Sequence, residues 1–505
     1  MSLIRRNIVA NALGRGWSTL LGVGILPVYI RFLGAEAYGL VGLYATIAAI
    51  CSLFDAGISA SLGRELARAN AGEAPGKQTA ELVRTAEVLY FTIGLALGGL
   101  IALSAPWIVT KWLNLRHLSP EDATQAVRLM GLFFVFQWST GLYLAGLSGL
   151  QRQVELNLVT SVGSTVRAVG SVVILWAVSS SIVAFYWWQV CATAAYFVAC
   201  RETMWRTQGV DRQEAAFRWS VVRSVRRFAA GVTLLSVVAV ACLQLDKVVL
   251  TRLVPLEAFG YYSFATSVAA SVTVFGQPVL AAIYPAMIEA RELRDQPRLA
   301  SLFHRAAQIV SVAIFAPAAV LCAFSPVVLR LWARDPAMAG HASQLVSVCV
   351  VGAALNGVAL MPYNLTLAAG RVRPALIVAS SGVFIYATVL VLLAPRLGVM
   401  AGAMGGVLVN FTGLLVYAYF AVGPLLPGQG WRWLGADLLW PLSIASIATV
   451  LVRAAASPRA SFRTQTAGLL LACFGTLICT ALAAPVARRE LLVRIRDMRS
   501  RRVLR

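Results

Sequence analysis

Residues 88–107 read VLYFTIGLALGGLIALSAPW, twenty positions without a charge. A helix of that length rises about 30 Å, the thickness of a bilayer's hydrocarbon core. The run is continuous rather than alternating, which excludes a barrel strand. Similar runs tile the chain on both sides. Spans are expected at about 9–31, 38–58, 86–108, 125–149, 156–178, 181–200, 229–250, 260–284, 304–324, 343–366, 374–394, 399–421, 435–453 and 464–485. Composition agrees, with 59% hydrophobic and 13% charged residues among 505 and a mean hydropathy of +0.76. The expected fold is an all-α polytopic membrane protein of about 14 transmembrane helices.

An even number of spans puts both termini on one side. If that side is the cytoplasm, the termini and inner loops hold 29 Lys and Arg, the outer loops 10, and the spans 4. The positive-inside rule demands such a skew. The net charge of +22 therefore reads as topology, with both termini cytoplasmic. A nucleic-acid partner is excluded, because no soluble domain gathers the charge. The stretch around 201–228 carries Arg201, Arg206, Arg212, Arg218, Arg223, Arg226 and Arg227, and eight more arginines follow Pro485. Leu491, Ile495 and Met498 in that tail fall on one helical face, as in a helix lying on anionic lipids; a plain topology anchor is the simpler reading. No A-x-A cleavage site follows Met1–Arg6, so the first span is expected to stay in place. The eight cysteines fall within or at the ends of spans and read as small apolar fillers.

Shifting the chain by 221 residues lays Arg31-Phe-Leu-Gly-Ala-Glu36-Ala37-Tyr38-Gly39 over Arg252-Leu-Val-Pro-Leu-Glu257-Ala258-Phe259-Gly260. Six of the twenty positions from 31 to 50 are identical. Six spans separate the two hairpins, so the halves share an orientation, as in parallel repeats that rock about a central site. The expected organisation is an N-terminal six-helix lobe (1–205), a basic amphipathic cytoplasmic linker (206–228), a C-terminal six-helix lobe (229–425), two extra helices (426–486) and a basic cytoplasmic tail (487–505).

The run Asn7 … Pro27-Val-Tyr-Ile-Arg31-Phe-Leu-Gly34 … Tyr38-Gly39-Leu, then Asp55-Ala-Gly57-Ile and Arg64-Glu65-Leu, resembles the polysaccharide-biosynthesis flippases. These include the O-antigen and exopolysaccharide exporters of the multidrug/oligosaccharidyl-lipid/polysaccharide superfamily. Gln244-Leu-Asp246-Lys247 … Leu253 … Phe259-Gly260-Tyr-Tyr resembles that family's seventh span. The resemblance implies transfer of an undecaprenyl-pyrophosphate-linked oligosaccharide from the cytoplasmic to the periplasmic leaflet, driven by an ion gradient. It implies no cofactor. Its implied partners are the lipid-linked glycan, anionic lipids, and the polymerase and chain-length proteins of the same pathway. A lipid II flippase is a close relative, but span two lacks its arginine-rich pattern.

Ionisable residues inside spans are costly and mark function. Six stand out: Arg15, Asp55, Arg128, Arg167, Asp246 and Lys247. Arg167 lies near the middle of span five, whereas Arg128 and Lys247 lie near span ends, where their heads can snorkel. Arg15 and Asp55 are expected at similar depth, either as an ion pair or at the substrate. Asp246 and Lys247 are adjacent and point about 100° apart, so they are not expected to pair face to face. Arg15, Arg167, Lys247 and Arg128 are the candidate substrate-binding residues, with the planar guanidinium forks of Arg15 and Arg167 suited to pyrophosphate. Asp246 and Asp55 are the candidates for ion coupling or pairing. Pro27, Pro278 and Pro317 are candidate hinges. Gly94 with Gly98, and Gly398, Gly402 and Gly406, have the spacing of close helix packing.

Other chemistry finds no support. Gly72-Glu-Ala-Pro-Gly76-Lys77-Gln78 has three residues between its glycines and no hydroxyl after the lysine, so it is no phosphate loop. His117, His304 and His341 sit far apart at loop edges and offer no paired metal ligands. Trp107, Trp112, Trp187, Trp188, Trp332, Trp431 and Trp433 are expected in an interfacial belt. A membrane enzyme acting on the same sugars would need a long outer loop with catalytic groups, and 109–124 and 325–342 are short. The alternative is a multidrug/cation antiporter of the same superfamily, which would want an anionic cavity; four positive and two negative charges in the spans point the other way.

Overall fold

A computed structural model of the chain describes residues 3–55, 57–70, 72, 76–208, 215–333, 336–455 and 462–485. They form helices α1 (Leu3–Cys51), α2 (Ile58–Asn70), α3 (Gly76–Trp107), α4 (Pro120–Gly149), α5 (Gln153–Ala177), α6 (Ile182–Gln208), α7 (Trp219–Leu253), α8 (Leu256–Ala270), α9 (Gln277–Glu292), α10 (Gln296–Ala333), α11 (Pro336–Ala368), α12 (Arg373–Leu397), α13 (Val399–Tyr417), the single turns α14 (Gly423–Leu425) and α15 (Gly430–Arg432), α16 (Trp440–Ala455) and α17 (Phe462–Ala483). Among the described residues ten helical stretches are long and apolar enough to cross a bilayer, and the bent pair 256–275 and 277–292 makes an eleventh. One of the ten, 16–55, contains α1's break at Gly34 and holds two spans. α7 and the apolar stretch Gly468–Leu482 of α17 lie where the two remaining spans were expected. The protein is a multi-pass helical membrane protein.

The internal repeat extends through the fold. Adding 221 to the bounds of α2, α3, α4 and α5 gives those of α9, α10, α11 and α12 to within a few residues, and the start of α6 so shifted falls four residues from that of α13. The first hairpin bends at Gly34, whose φ of +80° and ψ of +163° suit glycine alone. Its counterpart is Pro255, which follows the extended Val254 that ends α7. Two backbone chemistries thus make the same bend.

Contacts group the chain into two compact units, Met1–Gly260 and Tyr261–Arg505. In the first, α3 packs on α4, α4 on α6 and α1 on α5, while α7 lies against α1, α2 and α3. Without water to drive association, membrane helices rely on small residues for close approach. Gly98 and Gly131 touch backbone to backbone where α3 crosses α4, and Gly94 lies under Trp138. In the second unit α11 packs on α10 and α13, with Gly352 against Gly406, and α16 and α17 dock together on α10. Gly398 departs from the packing expectation: at φ +54° it makes the turn between α12 and α13.

The prolines act unevenly. α1 runs through Pro27 and α10 through Pro317; α1 breaks only at Gly34. The 47° bend between 256–275 and 277–292 falls at Gly276, and Pro278 sits in the first turn after it rather than inside a helix. A proline there costs no hydrogen bond, because first-turn N–H groups have no helical partner. Residues 73–75 of the phosphate-loop look-alike, and the whole tail after Pro485, lie outside the described residues.

Candidate functional site

A polar seam joins α1 to α5. Asn157 donates to the Oδ1 of Asn11 at 2.6 Å, Trp17 donates from Nε1 to Thr165 at 2.8 Å, and the hydroxyls of Ser18 and Ser164 lie 3.5 Å apart. The register advances together on both helices, so they run parallel, and Gly14 lets Asn157 close against the backbone. Arg167 follows on α5. Its Nη1 donates to the Oε1 of Gln137 on α4 at 2.7 Å. Its carbonyl accepts from Ser171 and from the indole of Trp188 on α6, and Gln189 donates to Ser171 in turn. Arg167 is half-buried, and among the described residues it makes no salt bridge. Its charge is thus held by a neutral amide. Arg15 lies on α1 one turn beyond Asn11; its side chain falls outside the described residues.

Asp55 closes the short 3₁₀ turn between span two and α2. Ser59 donates to it from both backbone N–H and hydroxyl, and Tyr90 donates from α3. Both of its oxygens are therefore engaged by neutral donors. Tyr90 is itself stacked on Trp138, their centroids 4.8 Å apart. Asp246 is buried on α7, only 3% exposed. The expectation that Asp246 and Lys247 would not meet is corrected: the Lys247 ammonium lies 3.4 Å from Asp246 and 2.9 Å from the carbonyl of Leu243. The long lysine stem folds back one turn, which the 100° between the two Cβ directions does not forbid. Arg128 is exposed on α4.

Three charged clusters were not singled out by the sequence reading. Glu87 on α3 is buried and takes Arg201 at 2.9 Å, Trp205 at 2.8 Å and Tyr143 at 2.8 Å on one oxygen and Arg84 at 3.0 Å on the other. It ties α3, α4 and α6. Glu81 receives the fork of Arg218 at 2.7 and 3.0 Å, and Thr85 accepts from the Arg218 backbone. Arg201 and Arg218 of the basic stretch are thus structural ion-pair partners; residues 209–214 and the side chains of Arg223, Arg226 and Arg227 lie outside the described residues. In the second unit His304 is a buried residue of α10 rather than a loop-edge one. Its Nδ1 meets Asp437 and its Nε2 meets Gln429, while Gln308 donates to Asp437 at 2.9 Å. Trp433 likewise is no belt residue, being fully buried against Phe303. Glu87 and Asp437 lay inside or at the ends of expected spans, which was the available signal.

The end of the first unit opposite these clusters is tied by Glu36. Its carboxylate accepts from the N–H groups of Arg116, His117 and Leu118 at 2.6, 2.8 and 3.1 Å. Asn114 donates to the carbonyl of Arg252, and Trp112 donates to Thr251. No group of three or more potential metal ligands occurs among the described residues.

The profile of the family described as "Polysaccharide biosynthesis protein" matches residues 4–291, more than half of the chain. The chain belongs to the polysaccharide biosynthesis protein family. A Shigella flexneri relative described as a candidate O-antigen transporter is 18% identical over 416 residues, covering 80% of this chain and 94% of its own. The fold is shared with the lipid II flippase MurJ in an inward closed conformation, at TM-score 0.68 and 11% identity over 96% of this chain and 100% of that one. It is shared also with an inward-facing multidrug resistance MATE family transporter of the MOP superfamily, at TM-score 0.65 and 14% identity over 81% and 96%. The two solved proteins are described as a flippase and a transporter.

Proposed function

We propose that the protein moves an undecaprenyl-pyrophosphate-linked oligosaccharide from the cytoplasmic to the periplasmic leaflet of a bacterial inner membrane, by alternating access, for surface polysaccharide synthesis. The observation that carries this reading is Arg167. A guanidinium in mid-span is expensive, and a carboxylate beside it would cancel its charge. Here it is held instead by Gln137 and kept available. A fixed positive charge with a planar fork suits pyrophosphate oxygens, which it binds in pairs. Such a group would repel the cationic drugs of an antiporter.

The seam of Asn11, Trp17, Ser18, Asn157, Ser164 and Thr165 offers neutral hydrogen-bonding groups next to Arg167, as a polar headgroup passing through lipid requires. Arg15 on α1, with Arg128 and Lys247, completes the proposed substrate-binding set. Asp246 is proposed as the carrier of a coupling proton and Asp55 as a structural partner at the turn into α2. The charge skew supports cytoplasmic termini, and the 221-residue repeat supports two lobes at 1–205 and 229–425 with α16 and α17 added. The test is leaflet transfer of the purified lipid-linked glycan in proteoliposomes. Transfer supports the reading, and its absence together with efflux of cationic dyes would favour the antiporter. Asp246→Asn should lose gradient dependence; an unchanged dependence removes the proton from Asp246.

A further inference from the structure

The second unit holds a cavity of about 830 Å³ where α9 and α11 end and α10 begins. Arg291, Glu292, Arg294 and Gln296 line one side, and residues 367–370 line the other. The charges are mixed, two arginines with one glutamate. The end of α11 is capped by the turn at Gly370: the carbonyls of Leu365, Thr366 and Leu367 accept the N–H groups of Ala369, Arg371 and Gly370. Of the neighbouring charges, Arg298 pairs with Glu289 at 3.2 Å and Asp295 accepts the Arg298 N–H at 2.9 Å.

Arg294 is held at φ +54°. Among the described non-glycine residues only Gln151 shares a positive φ. The region is unfavourable for any side chain, since Cβ crowds the carbonyl oxygen. The first half of the repeat has Gly72, at φ +87°, within one residue of the equivalent position. The turn alone would be served by glycine, so an arginine kept there against its backbone preference points to work for its side chain. The facing turn uses Gly370 at φ +66°.

We propose that this cavity binds the phosphoethanolamine headgroup of an aminophospholipid. The phosphate pairs with Arg291 and Arg294, and the ammonium pairs with Glu292. The site lies at the ends of helices long and apolar enough to cross a membrane, where headgroups reside, and Ile288 adds an apolar side chain to its wall. A purely anionic headgroup or inorganic phosphate would leave Glu292 opposed to it. The volume also exceeds what a phosphate ion fills and suits a headgroup with its glycerol.

The test is native mass spectrometry of the delipidated full chain with phosphatidylethanolamine, phosphatidylglycerol and soluble O-phosphoethanolamine. Phosphatidylethanolamine should occupy the protein about fivefold more than phosphatidylglycerol, a gap of about 1 kcal/mol. Glu292→Gln should erase that preference. Arg294→Gly should lower occupancy by both lipids while the melting temperature holds or rises, because glycine relieves the backbone; Arg291→Gln should repeat the loss. Equal occupancy by the two lipids, a preference untouched by Glu292→Gln, or full binding by Arg294→Gly would overturn the proposal. Soluble O-phosphoethanolamine binding as tightly as the lipid would overturn the lipid assignment in favour of a free phosphate ester.

Discussion

Gly260 lies against the backbone carbonyl of Ala35, and its repeat counterpart Gly39 lies against that of Leu256, the counterpart of Ala35. One offset of 221 residues turns the first contact into the second. The hairpins at 31–39 and 252–260 therefore meet about a local two-fold, each offering the same patch to the other. A β-carbon on Gly39 would stand 2.6 Å from the Leu256 oxygen, so the helices would have to part. Gly39→Ala and Gly260→Ala should each cost about 1–3 kcal/mol by overpacking. Both strain one junction, so the double variant should cost less than the sum. Thermal unfolding in detergent measures all three, and a wild-type midpoint for either single variant contradicts the contact.

Gly34 has open space where a β-carbon would go, so volume does not require glycine there. Its φ of +80° does. Gly34→Ala should destabilise by about 1–3 kcal/mol through the backbone alone. A d-alanine introduced at this position by semisynthesis should restore the loss, which a packing explanation does not predict.

Glu87 and Glu81 separate by the exposure of their partners. The side chain of Arg201 is 28% exposed and that of Arg218 is 55% exposed. Removing the carboxylate strands the more buried guanidinium at greater cost. Glu87→Gln should lose about 3 kcal/mol, and Glu81→Gln less than about 1.5 kcal/mol because water reaches its arginine. Chemical denaturation of the two variants should preserve that order.

His304 and Asp437 join α10 to the segment leading into α16, two elements outside each other's repeat. A double-mutant cycle with His304→Gln and Asp437→Asn should return a coupling of about 1–3 kcal/mol. Additive single effects would mean that the contact carries no stability of its own.

The all-helical, multi-span fold was legible because apolar runs such as 88–107 depend only on local composition. The repeat was legible from Glu36-Ala37-Tyr38-Gly39 and Glu257-Ala258-Phe259-Gly260, since a shared bend demands similar residues at the same offset. The ion pairs were not. Glu87 and His304 stand at the ends of the expected spans 86–108 and 304–324, where a charged or polar residue ordinarily meets water. Their burial depends on which helices become neighbours, and no periodicity within one helix reports that. Lys247 escaped for another reason: the direction of its Cβ is fixed by the helix, but the position of its ammonium is not. Trp433 shows the same limit, since position near a span end says nothing of which side chain turns inward.

The central claim is that Arg167 meets pyrophosphate as a fork, and transfer of the lipid-linked glycan by wild-type, Arg167→Lys and Arg167→Gln proteins in matched proteoliposomes tests it directly. Loss of a bidentate charged contact should slow Arg167→Lys at least about tenfold, with Arg167→Gln slower still and both variants folded. Transfer by Arg167→Lys at the wild-type rate would contradict the account.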